Sequence, residues 1–508
     1  MLAGLILNLA LMLPAWWRDG QWLSVLIIPE AWLLVALFAL LPSRASTRAA
    51  AWFIAATFSL IVIAAFFDGL LRQVLSRELN VLLDPLMLQA GFHLIDGSLG
   101  RLAAILASVL LAILCGLLVL VVRKNLRPGR SSHSAMTLVV IVATVVTVTA
   151  WFNVLSGTRI VPVATQLIIA QTEQVRQTLQ SQRRFQRALA SEQMDARPIE
   201  RLAGRDVYLV FVESYGVSLI DQDRYRQHLL PLLDQAEADL LEAGLSVRSA
   251  RMEAPIRGGQ SWLAHATVLT GQRIDNQYTY RQFIDANADT LASDFRATGH
   301  AGVKISPAII MDWPEGDRLG FDQIYAAADL DYRGPPLGWV TMPDQYTLHY
   351  FSEHIRPRYE QPVFAQIALI SSHAPWTPVI EPVDWSEIDD GRVFQRWRDA
   401  GDNPLRLWTR PERLREAYRN SIEYSLAVTL DWARHALSDD GLLILLGDHQ
   451  AASPVTGRGV SADVPVHLIS RDAELLNSFK ESGFTDGMVP AKHPSAGAME
   501  DLRAILRK

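Results

Sequence analysis

Residues 441–450 read GLLILLGDHQ. A run of Leu and Ile enters a glycine and then an Asp–His pair. The run is too short to span a bilayer and suits a parallel strand covered on both faces. Open α/β sheets carry ligand sites just beyond the carboxyl ends of such strands, so Asp448 and His449 are expected at that rim. Two other stretches end alike: DVYLVFVES (206–214) delivers Glu213, and PVFAQIALISSH (362–373) delivers His373. A single polar residue after a strand is ordinarily a helix cap. Three buried-type strands ending in carboxylate or imidazole predict a convergent site. Glu, Asp and His are suitable ligands for a divalent cation such as Mn²⁺ or Zn²⁺.

Around these strands, apolar runs alternate with polar helical stretches. RYRQHLLPLLDQAEADLLEAG (224–244) follows the first strand, GHAGVKIS (299–306) and VPVHLISR (464–471) read as further strands, and EAYRNSIEYSLAVTLDWARHAL (416–437) reads as a helix. The alternation predicts an α/β domain with a largely parallel central sheet over 201–508. A metal site still needs a nucleophile, and APIRGGQSWLAHATVLTG (254–271) offers Ser261. Gly258 and Gly259 permit a tight turn, and a helix follows from Trp262. A hydroxyl at a helix N-terminus sits where phosphate is favoured, and coordination by a metal would lower its pKa. The competing reading of Ser261 is a plain N-cap.

Hydropathy divides the chain. Half of the 508 residues are hydrophobic, and mean hydropathy is +0.14, the excess lying in the first third. Five apolar segments, Leu2–Trp17, Trp22–Leu41, Ala50–Phe67, Leu102–Val122 and Met136–Leu155, approach the ~20 residues of a spanning helix. The first has no basic leader or small-residue cleavage site and reads as a span. Arg44 and Arg48 follow the second segment; Arg123, Lys124, Arg127 and Arg130 follow the fourth. The positive-inside rule puts both loops in the cytoplasm and the chain beyond Ser156 outside. Residues 1–156 are thus expected to be a multi-pass membrane domain. The stretch 71–94 between spans reads either as interfacial amphipathic helix or as ordinary packing over the spans. A linker helix over 157–200, closed by Pro198, would lead to the exported domain. The net charge of −6 carries no nucleic-acid footprint. The single cysteine, Cys115, excludes an internal disulfide and any cysteine-ligated cluster.

Together, FVES (211–214), GGQSWLAHATVLTG (258–271), SSHAPW (371–376) and GDHQ (447–450) resemble the sulfatase-like branch of the alkaline phosphatase superfamily. Within it the likeness is to the lipoteichoic acid synthase and phosphoglycerol transferase group, which also joins about five spans to an exported α/β catalytic domain. The resemblance implies one divalent metal held by Glu213, Ser261, Asp448 and His449, with Mn²⁺ ahead of Mg²⁺ or Zn²⁺. It implies Ser261, in the place of the family threonine, as covalent nucleophile. It implies His373 as substrate-side acid and Trp313 in the substrate pocket. Two family positions differ: a pocket Arg falls on Glu315 and a strand-exit His on Ser306, so the substrate does not transfer directly. The Cys/Ser-x-Pro-x-Arg motif of true sulfatases is absent after Ser261.

The resemblance implies an inner-membrane transferase acting outside the cytoplasm. It would carry phosphoglycerol or phosphoethanolamine from a phospholipid donor to a glycan or lipid acceptor through a phospho-serine. A phosphodiesterase or phosphatase using water, and a non-enzymatic envelope scaffold, are the alternatives. His265, one turn after Ser261, is expected either to touch substrate or to pack. Lys304 and Asp312 are further pocket candidates. His467 reads as a satisfied core histidine, and Asp344 as a helix cap.

Overall fold

The computed structural model describes residues 2–19, 25–42, 44–74, 77–86, 92, 101–126, 133–151, 159–191, 194–493 and 495–508. The chain forms two compact units, Met1–Ser181 and Gln182–Lys508.

The first unit is helical: Leu2–Asp19, Pro29–Leu40, Ala45–Val74, Arg101–Asn125 and His133–Trp151. Among the described residues, two helices are long and apolar enough to cross a membrane, within Ala45–Val74 and Arg101–Asn125. Among the described residues of the second expected span, 25–41, the helix begins at Pro29, the N1 position where its missing N–H costs nothing. Its 12 residues rise about 18 Å, short of a ~30 Å hydrocarbon core. Arg127, Arg130 and most of 87–100 lie outside the described residues, and with them part of the stretch 71–94 read as interfacial helix; its described part ends the third helix at Val74 and holds a single short 3-10 turn, Asp84–Leu86. The expected linker helix runs Val163–Leu189 and stops well before Pro198. The division between the two units falls inside it, and its last turns bury Phe185 and Ala188 in the core of the second unit.

That second unit is built on an eight-stranded sheet in the order β4-β3-β5-β1-β6-β7-β2-β8. The strands are β1 Val207–Val212, β2 Ser246–Glu253, β3 Ala301–Ser306, β4 Gln323–Ala326, β5 Val363–Leu369, β6 Leu442–Gly447, β7 Asp463–Ser470 and β8 Thr485–Asp486. From β4 to β6 all neighbours are parallel; β7, β2 and β8 pair antiparallel. The expected α/β class with a largely parallel sheet is what the chain forms. β1 lies at the centre, every residue buried, flanked in register by β5 and β6. Val212 stands opposite both Leu369 and Gly447, so all three strands end at one level.

Two apolar layers cover the sheet. Tyr208, Val210 and Val212 face helices Asp223–Glu242 and Pro411–Ala436; Val207, Leu209 and Phe211 face helices Ser261–Thr270 and Leu291–Ala297. This double cover is why the parallel strands read as continuous apolar runs.

Candidate active site and metal centre

The carboxyl ends of β1 and β6 carry Glu213, Asp448 and His449, all buried. One ligand atom from each lies within 4.8 Å of the others. Local backbone geometry aims them inward. Ser214 is held left-handed (φ 62°), a conformation costing roughly 1–2 kcal/mol for a residue with a Cβ. Its N–H donates to Asp448 Oδ1 at 2.7 Å, and its carbonyl accepts from the Tyr418 hydroxyl at 2.9 Å. Gly447 permits the close crossing: a Cβ there would stand 1.8 Å from the Tyr215 carbonyl oxygen.

Ser261 joins them through the glycine turn. Gly258 and Gly259 have positive φ, as does Gln260 (69°), and the Gly258 N–H donates to the Gln450 carbonyl at 2.8 Å. That bond ties the turn to the residue after His449. Ser261 is the first residue of its helix rather than its N-cap, which is Gln260, so the plain capping reading does not hold. Its Oγ donates to Glu213 Oε2 at 2.8 Å and lies 3.3 Å from His449 Nε2.

Electrostatics follow from burying these groups together. Burial raises the pKa of Asp448, and the neighbouring Glu213 charge raises it further. Burial alone would lower His449, but the two carboxylates outweigh it and hold the imidazole above its ordinary value. Burial would raise Glu213; the His449 charge and hydrogen bond overcome that and keep it below the usual carboxylate range. The cluster therefore gathers a positive charge onto itself. His449 Nδ1 lies 2.9 Å from the Gln450 carbonyl, which assigns the proton there and turns Nε2 toward Glu213, at 3.3 Å. An imidazole fixed by its other nitrogen, which would give up its Nε2 proton to a bound cation, two carboxylates and a hydroxyl are the donor set a divalent cation takes. The residues fit such an ion.

Of the other expected residues, His373 is exposed at the β5 exit, and its charge still lowers Glu213. Trp313 is half-buried and packs on the layer that covers the Ser261 helix. The His265 ring lies against Phe211, centroids 4.1 Å apart, with its Nε2 enclosed and without a hydrogen bond. Lys304 is buried on β3, whereas Asp312 and Glu315 are exposed and Ser306 is buried. His467 is a satisfied core residue, 2.7 Å from Ser249 Oγ and 3.1 Å from the Tyr215 hydroxyl. Asp344 is not the cap expected of it. Fully buried, it accepts from the Ile370 and Ser371 N–H groups and from the Ser425 hydroxyl, fixing the turn that leads from β5 to His373. Sequence reasoning missed this role because the bonded partners lie 26 and 81 residues away.

No family model and no curated protein matches this chain. Solved structures do. It is similar to the lipoteichoic acid synthase LtaP from Listeria monocytogenes, at 13% identity and TM-score 0.39, over 61% of this chain and 77% of that one. It is similar to a protein in the alkaline phosphatase superfamily from Vibrio parahaemolyticus, at 19% identity and TM-score 0.36, over 55% and 62%. It is similar, too, to the Streptococcus pyogenes phosphoglycerol transferase GacH in complex with sn-glycerol-1-phosphate, at 14% identity and TM-score 0.38, over 65% and 80%.

Proposed function

We propose that this chain is a membrane-anchored, metal-dependent transferase. It would move a phospho-alcohol group, phosphoglycerol or phosphoethanolamine, from a phospholipid to a cell-envelope glycan or lipid. One observation carries the reading: a serine hydroxyl at a helix start, 2.8 Å from Glu213 and 3.3 Å from His449, beside a cluster built for a cation. When bound, a divalent ion, Mn²⁺ first, would lower the pKa of the hydroxyl and neutralise phosphoryl charge.

Ser261 Oγ attacks phosphorus, oriented by the hydrogen bond it donates to Glu213, and its proton leaves to water. The P–O bond to the donor alcohol breaks with its electron pair, and His373, exposed at the strand exit, supplies the proton. An acceptor hydroxyl then displaces Ser261 in the same way, so configuration at phosphorus is retained over two inversions. Two long apolar helices in the same chain support a donor drawn from the bilayer, at raised effective concentration. Arg44 precedes one helix and Arg48 lies in its first turn, and Arg123 and Lys124 end the other, which supports an inner-membrane protein with that side cytoplasmic and the catalytic unit outside.

The test uses the full chain in detergent with Mn²⁺ and a labelled phospholipid, beside Ser261→Ala. Diacylglycerol release lost by roughly 10³-fold or more in the variant, with label passing to an added acceptor, is the expected result. Label appearing only in water-soluble phospho-alcohol would make the protein a hydrolase. A folded protein with neither bound metal nor turnover would sink both.

A further inference from the structure

We propose that a pocket beside the His373 segment is the acceptor subsite and takes one neutral sugar unit of a glycan. The inference deepens the transfer reading, on which it rests in calling the occupant an acceptor.

The pocket lies between the segment that follows His373 and the helix Pro411–Ala436. Its cavity holds about 260 Å³, below the ~300–1,000 Å³ of sites for drug-sized ligands and enough for a single ring. One wall is Trp376. The facing wall is a stripe of the helix, Arg413, Glu416 and Asn420, positions that share a face at i, i+3 and i+7. Asp402 and Leu407 also line it.

The Trp376 wall is fixed to the catalytic rim. Its backbone is left-handed (φ 58°), which a bulky residue adopts only under constraint. Its N–H donates to the His373 carbonyl at 3.2 Å, and its indole N–H donates to the Ser372 carbonyl at 2.8 Å. Ser372 Oγ in turn donates to the Glu213 carbonyl at 2.6 Å. From the helix, the Tyr418 ring meets Trp376 edge-on, centroids 5.3 Å apart, while its hydroxyl donates to the Ser214 carbonyl. A ligand in the pocket is therefore held in register with Glu213 and His373.

The polar inventory decides the ligand. Arg413 is already paired, with Asp402 at 2.9 Å. Glu416 makes no ion pair among the described residues. Two carboxylates to one guanidinium leave the lining net negative, which disfavours phosphate and other anions. Asn420 Oδ1 accepts from Arg419 Nε and Nη2 at 3.1 and 2.7 Å, so its NH₂ is left to donate. Glu416, one turn away on the same face, only accepts when ionised. An acceptor beside a donor fits the two hydroxyls of a vicinal diol; an ammonium would suit Glu416 and oppose the Asn420 NH₂. Leu407 and the Trp376 ring, its N–H already bonded, offer apolar surface to the C–H face of a sugar. Trp408 is exposed and stacked on Trp376, centroids 5.9 Å apart, and carries that aromatic surface outward for a neighbouring unit.

In the transfer, the acceptor oxygen bonds to phosphorus as the Ser261 Oγ–P bond breaks with its electron pair. The acceptor proton passes to His373, which gave its own to the donor alcohol, and Ser261 Oγ takes one back from water.

The test measures binding of maltotetraose, mannotetraose and chitotetraose to the full chain in detergent, by calorimetry. Tetragalacturonate and inorganic phosphate are the anionic controls. EDTA is present, so that the cation cluster contributes nothing. At least one neutral oligosaccharide should bind, and more tightly than either anion. Glu416→Ala and Asn420→Asp should each weaken that binding by roughly tenfold or more with the melting temperature unchanged. The second keeps both bonds to Arg419 and removes only the donor. Failure of all three neutral sugars to bind, tighter binding of an anion, or full affinity in both variants overturns the inference. Labelled phospholipid with Mn²⁺ separates the two readings. Sugar bound in the pocket with no phospholipid cleaved defeats the transfer reading and leaves a glycan-binding site. Phospholipid cleaved with no sugar bound leaves the transfer reading and defeats this one.

Discussion

At the scale of single residues, the site was legible where chemistry and position coincide. Glu213, Asp448 and His449 follow apolar strands, and Ser261 follows two glycines; the structure brings all four together. Lys304 was harder to read. Within a strand, one polar residue among apolar ones says nothing of whether a partner meets it. His467 was readable as core, and its burial has a measurable consequence. Burial holds it down at about 3, against an ordinary value near 6.5. Below pH 6.5 the unfolded chain takes up a proton that the folded chain refuses, so stability is lost as pH falls from 6.5 toward 3. Each pH unit in that window costs about 1.4 kcal/mol. Denaturant unfolding at pH 7 and pH 5 should show a loss of about 2 kcal/mol that His467→Gln removes. An unchanged acid loss in the variant would place the proton uptake elsewhere.

At the scale of elements, five strands could be read because both faces are buried and most positions are apolar. β2 could not. Its Arg248 and Arg251 are buried yet paired, Arg251 with Asp221 through two bonds and Arg248 with Asp486 and Asn477, so the strand reads as a polar stretch. β4 and β8 are too short to show a period. Strand ends make sharper predictions than strand middles. Gly447→Ala forces a Cβ onto the Tyr215 carbonyl. It should cost roughly 1–3 kcal/mol, read as a lower melting temperature, with metal affinity falling alongside. Asp344 offers a graded test. Asn keeps the oxygen that accepts from Ile370 and Ser371, and its amide can donate to the rotatable Ser425 hydroxyl. Ala leaves two buried N–H groups and a hydroxyl unpaired, each worth about 1–3 kcal/mol. Asp344→Ala should therefore melt far lower than Asp344→Asn, and its surviving folded fraction should turn over more slowly because the turn before His373 is loosened. Equal melting of the two would refute the clamp.

At the scale of the whole molecule, hydropathy predicts a membrane part over 1–156 and a separate linker over 157–200, whereas the two compact units divide within the linker helix, between Ser181 and Gln182. The burial of that helix's end in the second core was not foreseen. Its apolar residues Phe185 and Ala188 are sparse in the sequence and gain meaning only from the surface they meet. If the cation cluster is what it is proposed to be, ion binding favours the folded state. Mn²⁺ at 100 times its dissociation constant should add about 2.7 kcal/mol, seen as a rise in melting temperature that EDTA reverses and Asp448→Asn abolishes. A further consequence follows from where β1 sits. It is among the first strands of its unit to leave the ribosome, yet its neighbours β5 and β6 are made much later, and the Ser214–Asp448 bond that completes the site spans 234 residues. The nascent chain must carry this fully buried strand uncovered while the 234 residues up to Asp448 are made. Truncation anywhere before β6 should yield an aggregating fragment rather than a smaller enzyme.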